Sequence, residues 1–506
     1  MSGLGLPPAP PEVAPPGRGP SDIPAWVLLV AAGLALSLAG LLFYAVLHQE
    51  PGVPSAEQPD PPASSFPAHW DRRIAPIARI ASRLRGLDFH HPVPVRFLPS
   101  ARFEKSLTTD QKITKSDKAD IEHVTGLLRA FGLVSGDVNL VHAVQGFTGG
   151  ATLAYYSFKD KRITVRGSRV TPSIRATLVH ELTHVLQDQH FGVGARLRRL
   201  QHQEAGKGPS GSASSVPDAI IEGDAERVEH LYAGSLTAQQ QQALTAGQRA
   251  EAAQARRRLA QIPPVVVTLE SSPYTLGEGL VQTVAARGGN AAVDRLFHTP
   301  PTHESSLLDP FRFVTGDNGA TKVGVPKLQA GEKQFDSGEF GVLTLYFMLA
   351  ERLPLEQALA AADGWGGDAY VGYEAAGTAC ARVALAGKTA DDTTRIYSAL
   401  QGWAAATPGS SASVRRDGDQ VVFDSCDPGT AVQAGQDDSE AALTLVGTRS
   451  GLGAVLLRSG APPATAQCLA GRLVQTYTTA QLNDATFGKD DPTVQAEIQQ
   501  LAAGCR

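Results

Sequence analysis

Between Ala176 and Gly192 the chain carries His180, Glu181 and His184 in the order H-E-x-x-H. On a helix, residues four apart share a face, so the two imidazoles can take one Zn²⁺ between them. Glu181 sits beside the first of them, where a carboxylate can accept a proton from an attacking water. Two histidines and a water leave one tetrahedral position for a third protein ligand, and two segments compete for it. His190 has the interval from His180 found in H-E-x-x-H-x-x-G-x-x-H. That pattern needs Gly where this chain has Gln187, because the helix must break before the third histidine. It also needs a methionine turn, whereas the methionines are Met1 and Met348, the latter in the helix-like run LTLYFMLAERL. His190 is therefore expected to end a helix, capping carbonyls or packing. Glu222, in AIIEGDAERVEH, is the better ligand, since Gly223 and Ala225 beside it let a second helix pass close to the first. Glu226, one turn further on, can hold a ligand histidine from behind, whereas Asp224 and Glu229 are expected on a solvated face.

The H-E-x-x-H geometry requires a helix, and the local residues build one. Thr171 is an N-cap, Pro172 suits the first helical position and Gly192 can end the helix. Leu178, Val179, Leu182, Val185 and Leu186 give it the apolar frame of a buried element.

These residues resemble the gluzincin branch of the zincin metallopeptidases. The resemblance implies a zincin-like fold, Zn²⁺ as cofactor, His180, His184 and Glu222 as ligands, Glu181 as general base, and a peptide or protein as substrate. The interval from His184 to Glu222 is longer than in thermolysin-like enzymes, and the extra chain, Gly206–Asp218, has the composition of a flexible loop. In zincins the strand at the cleft edge binds extended peptide by strand addition, and Arg162–Arg166, in the hairpin-like run Ser157–Gly167, is the strand expected to do so here. A donor for the tetrahedral oxyanion is also implied, with His230, Tyr274 and His303 as candidates. A wider likeness, over roughly residues 70–370, is to a poorly characterised group of bacterial membrane-anchored candidate metallopeptidases. HELTHVLQDQHF, EGDA and the stretch Pro273–Pro310 carry it. The group's pattern ends P-P-x-S-T-E-Q-x-L-H-P, so Asp309 stands where that pattern has His, with His303 and Glu304 just before it.

Residues 23–48 form an uncharged apolar run, long enough for the roughly 20 residues that cross a bilayer as a helix. Trp26 and Tyr44 fall near its ends, as interface anchors do. The run is longer than a signal-peptide core and follows a Pro-rich leader, which favours a retained anchor. Arg18 precedes the span and no Lys or Arg lies between His48 and Trp70, so the leader is expected in the cytoplasm and the body outside. Four cysteines, all in the last third, are expected to pair as Cys380–Cys426 and Cys468–Cys505 in an oxidising compartment. The net charge of −5 and pI near 6.2 leave no footprint for nucleic acid. The basic stretches Asp71–Arg85 and Arg256–Arg258 read as solvated helix faces.

The fold class expected is α+β. A disordered leader (1–22), a transmembrane helix (23–48) and a Pro-rich stalk (49–68) precede a zincin-like catalytic domain (69–363). A small α+β unit (364–432) and a helical, disulfide-stapled unit (433–506) follow, without a cluster of catalytic residue types. Helices are expected near Arg73–Arg85, Lys115–Phe131, Thr237–Gln261 (exposed) and Ser337–Leu353 (apolar), with a strand at His91–Pro99. The function expected is that of a single-pass membrane zinc metallopeptidase with an extracytoplasmic catalytic domain. Two rivals keep the motif: a catalytically silent scaffold whose C-terminal units bind an envelope protein, and a metal-dependent hydrolase of a non-peptide substrate.

Overall fold

The structure, a computed structural model, describes residues 66–107, 115–204 and 215–505 apart from 318, 408–410, 434, 436 and 485. The expected leader, the span 23–48 and most of the stalk lie outside the described residues, as does most of the loop within Gly206–Asp218. No described helix is long and apolar enough to cross a membrane.

The described chain opens with helix α1 (Ala75–Arg85), strand β1 (Val95–Leu98) and helices α2 (Ser100–Leu107), α3 (Lys115–Ala130) and α4 (Leu140–Ala151). Strands β2 (Ala154–Ser157) and β3 (Arg162–Arg166) form a hairpin. β1 pairs parallel to β3, giving the order β1-β3-β2. β3 is thus the central strand with both backbone edges used, which corrects its expected role in taking up a peptide. β2 is the edge strand instead. Arg166 N donates to Leu153 O at 2.8 Å, so in the antiparallel register Tyr155 and Ser157 bond to β3, while Ala154 and Tyr156 turn their backbone groups to the outer edge.

Helices α5 (Pro172–Phe191), α6 (Val193–Glu204), α7 (Ser215–Gly234), α8 (Ala238–Leu259) and α9 (Pro264–His298) follow. α5 has the expected ends: Thr171 Oγ1 accepts from Ile174 N at 3.2 Å, and Gly192, at φ 61°, closes the helix in the left-handed conformation. Every residue from Ala176 to Asp188 is buried, because α1, α7, α8 and β2 pack around it. α7 and α9 cross almost backbone to backbone. A Cβ at Gly277 would collide with Ala219 O, and one at Gly223 would collide with the Gly277 carbonyl. Gly223, next to Glu222, therefore serves a close approach to α9 rather than the approach to α5 expected of it. α8 is largely exposed and starts in a capping box of Thr237 and Gln240.

The remaining elements are α10 (Ser305–Leu308), α11 (Pro310–Thr315), β4 (Lys333–Gly338), α12 (Val342–Ala350), α13 (Leu355–Asp363), β5 (Trp365–Ala375), β6 (Thr378–Gly387), α14 (Ala390–Ala405), β7 (Ala412–Asp417), β8 (Gln420–Cys426), α15 (Ser439–Arg458), α16 (Pro463–Thr476), α17 (Thr479–Leu482) and α18 (Pro492–Ala503). The antiparallel sheet β4-β5-β6-β8-β7 begins before residue 364. The apolar helix expected from Ser337 starts only at Val342. Asp368 accepts from Phe340 N (2.6 Å) and Gly341 N (3.0 Å), and so fixes the turn between strand and helix. The C-terminal helices do not stand apart. α15 lies along α9, with Thr268 Oγ1 3.2 Å from Ser439 Oγ, and its Ala442, Leu445 and Val446 join the core of Leu276, Leu280 and Val281. Cys380–Cys426 links β6 to β8, and Cys468–Cys505 ties α16 to the end of α18. The fold is mixed α+β with both disulfides toward the C-terminus.

Candidate metal centre

α5 and α7 cross so that His180, His184 and Glu222 meet in the interior. Glu222 Oε2 lies 3.2 Å from His180 Nε2 and 3.4 Å from His184 Nε2, and all three side chains are buried. A tetrahedral Zn²⁺ holds ligands about 2.0–2.1 Å away, which puts them about 3.3–3.4 Å from one another. The two separations from Glu222 are those such an ion demands, and the third pair of atoms lies within 4.8 Å. Together the three residues offer two nitrogens and one oxygen, a set that suits zinc.

A second ring fixes these ligands. His184 Nδ1 donates to Gln187 Oε1 at 2.9 Å, which leaves Nε2 to face Glu222. The Gln187 amide donates to Ile221 O (2.9 Å) and Asp224 Oδ2 (3.2 Å). Arg85 Nε donates to the same Asp224 oxygen at 2.7 Å, and Arg85 also pairs with Asp294 at 2.7 Å. Asp224 and Arg85 are fully buried, which corrects the solvated faces expected for both. Behind His180, Glu226 Oε1 lies 3.5 Å and Glu229 Oε2 3.7 Å from Nδ1. Glu226 thus stands behind His180, where the sequence places it. Glu229, with its side chain only 12% exposed, is not on a solvated face either.

The charges of Glu222, His184 and His180 depend on one another. Burial alone would raise Glu222, but the His184 charge and hydrogen bonds from both imidazoles outweigh it and hold the carboxyl at about 2. Burial alone would lower His184, but the facing Glu222 carboxylate lifts it to about 9. His180 is lowered, chiefly by burial. The carboxylate is thus ionised as a divalent cation requires, whereas His184 carries a proton that such a cation would displace.

Glu181 points the other way. Its Oε2 accepts from Tyr156 N, on the outer edge of β2, at 2.7 Å. Its Oε1 is buried with no hydrogen-bond partner. Burial raises this carboxyl to about 8 despite the pull of His184. One oxygen is held in place and the other has no partner, and burial keeps the carboxyl protonated at neutral pH.

Of the candidate oxyanion donors, Tyr274 is buried in α9 with its ring 6.2 Å from the His180 ring. His230 lies on the Nδ1 side of His180, hydrogen-bonded to Glu278, so it backs the ligand rather than facing the substrate side. His303 is not brought to the centre: its partners are Glu339 at 3.7 Å and the Trp365 ring. His190 ends α5 as expected, with Nε2 2.7 Å from Asp88 O and its ring against His90. Asp309 caps α11, accepting from Phe311 N at 3.0 Å, and Gln467 Nε2 donates to it at 2.6 Å. Sequence reasoning missed Gln187 as a support for His184, although its i+3 spacing signals a shared helix face. It also missed Glu278 and the Tyr156 backbone, for which no local signal exists. No protein-family model matches the chain, and no curated protein and no solved structure matches it either.

Proposed function

We propose that the protein is a zinc metallopeptidase of the gluzincin type, anchored by residues 23–48 with its body outside the cytoplasm. The observation that carries the reading is the meeting of His180, His184 and Glu222, with Glu222 Oε2 3.2 and 3.4 Å from the two imidazoles, about the edge of a tetrahedral zinc shell. Zinc, when bound there, supplies the Lewis acidity that makes water a nucleophile at neutral pH and polarises a carbonyl. With a cation on the histidines, the Glu181 carboxyl is lowered into its ionised form, and it then takes the proton of the attacking water on Oε1 and returns it to the leaving amine. The Tyr156 N–H holds the other oxygen, so the carboxylate does not swing during the transfer. The outer edge of β2 runs past Glu181 and already gives it the Tyr156 N–H, so the peptide substrate is part of the proposal rather than read from an open strand edge. Tyr274 is the remaining candidate for donating to the oxyanion. The two disulfides support an oxidising, extracytoplasmic location.

The test is a peptide-library digest with the purified full-length protein. Cleavage should stop with a chelator and return with one equivalent of zinc. A zinc-loaded protein that cleaves no peptide would overturn the reading in favour of a scaffold.

A further inference from the structure

We infer a second metal site behind His180, in which Glu226, His230 and Glu278 bind a divalent first-row transition cation. Glu226 and His230 are one turn apart on α7, the spacing at which two side chains reach one ion. The close α7–α9 crossing at Gly223 and Gly277 brings Glu278 across to them. One ligand atom from each of the three residues lies within 4.8 Å of the other two. An ion about 2.1 Å from each ligand spans atoms up to about 4.2 Å apart, so the side chains must close in on the ion through a single ring nitrogen of His230. His230 Nδ1 is hydrogen-bonded to Glu278 Oε1, and Gln282 Nε2 orients that carboxylate at 2.6 Å. A cation entering there takes the position of the shared proton, which is released.

The second observation is the state of Glu226. It is 1% exposed; Oε1 lies 3.5 Å from His180 Nδ1 without a hydrogen bond, and Oε2, on the side of the proposed site, accepts none from the described residues, with His230 Nε2 4.0 Å away. A buried carboxylate without a donor is costly unless a cation compensates it. Glu222 and Glu229 add further negative charge around it, and His230 is the nearest group able to be positive outside the proposed zinc ligands. Entry is open, since the His230 side chain is 43% exposed. One imidazole and two carboxylates suit Mn²⁺, Fe²⁺ or Zn²⁺ rather than Ca²⁺, which takes 6–8 oxygens, or Cu(I), which prefers sulfur.

The site stands apart from the peptidase reading, and metal counting separates the two. Full-length protein, stripped with chelator, is titrated with Mn²⁺ or Zn²⁺ and its bound metal measured after gel filtration. Wild type should bind two ions per chain, and His230→Ala and Glu278→Gln should each bind one. His184→Ala should also bind one, and adding Glu278→Gln to it should leave none. A wild type that binds only one ion overturns the site. So does a second ion that survives in the His230→Ala/Glu278→Gln double variant, which would be adventitious. If His230→Ala fails to fold, the near-isosteric Glu278→Gln still decides, because it keeps the volume and the Gln282 contact.

Discussion

Gln187 accepts a hydrogen bond from His184 Nδ1 at 2.9 Å and passes it on through its amide nitrogen to Asp224, 3.2 Å away, which Arg85 holds in turn. One side chain thus sets the tautomer of a proposed zinc ligand and locks α5 to α7. Supports of this kind are worth roughly 10–100-fold in metal affinity. Gln187→Leu should weaken zinc binding by that factor in competition with a chromophoric chelator, whereas Gln187→Glu keeps the acceptor and should lose less. Unchanged affinity in Gln187→Leu would mean that His184 is oriented by packing alone.

The α7–α9 crossing makes a second prediction. Gly277→Ala sets a Cβ into Ala219 O, a backbone atom that no rotamer change relieves. Overpacking typically costs about 1–3 kcal/mol, and a backbone collision belongs at the upper end. The melting temperature should fall, and zinc affinity should fall with it because Glu222 moves. Gly234→Ala, at the end of α7 with nothing within 4 Å of the added atom, should leave both unchanged. Equal effects of the two substitutions would contradict the crossing.

Glu270 gives the protein a pH dependence. It is buried in α9, and burial raises its carboxyl from 4.5 to about 8. Between those values the folded protein keeps a proton that the unfolded chain has lost. Its contribution is therefore full below about 4.5 and is lost as pH rises toward 8, at up to about 1.4 kcal/mol per unit. Glu270→Gln, which cannot ionise, should remove this slope. Denaturant unfolding of both proteins at pH 5 and pH 8 measures it, and parallel curves would refute the assignment.

What could be read from the chain was local. Thr171, Pro172 and Gly192 mark the ends of α5 because capping depends on neighbours within a turn. Glu222 was legible from its motif, whereas the glycine beside it serves the crossing with α9. Asp224 and Glu229 were misread because what buries them comes from far away: Arg85, which pairs with Asp224, lies 139 residues upstream. β3 was misread for the same reason, since its neighbour β1 is contributed by an earlier segment whose pairing no periodicity announces. Both disulfides were legible because each pair closes within one run of adjacent elements.

The disulfides should differ in consequence. Cys468–Cys505, at a separation of 37 residues, is worth up to about 4 kcal/mol by loop-closure entropy. α18 has no fully buried residue and otherwise packs through half-buried side chains such as Ile498 and Leu501 against Leu469, Leu473 and Tyr477. Cys505→Ser should therefore expose α18 to limited proteolysis while zinc retention stays at the wild-type level, because α15 remains on α9. Loss of zinc together with release of α18 would show that the C-terminal helices hold the metal centre directly.

The most direct measurement is peptide cleavage by Glu181→Gln protein loaded with zinc. The amide keeps the size of the side chain and its bond from Tyr156 N, yet it is not an effective base. Zinc content should match the wild type, and cleavage of a peptide that the wild type hydrolyses should fall by at least about 10²-fold. A zinc-loaded Glu181→Gln protein that cleaves at the wild-type rate would contradict the mechanism.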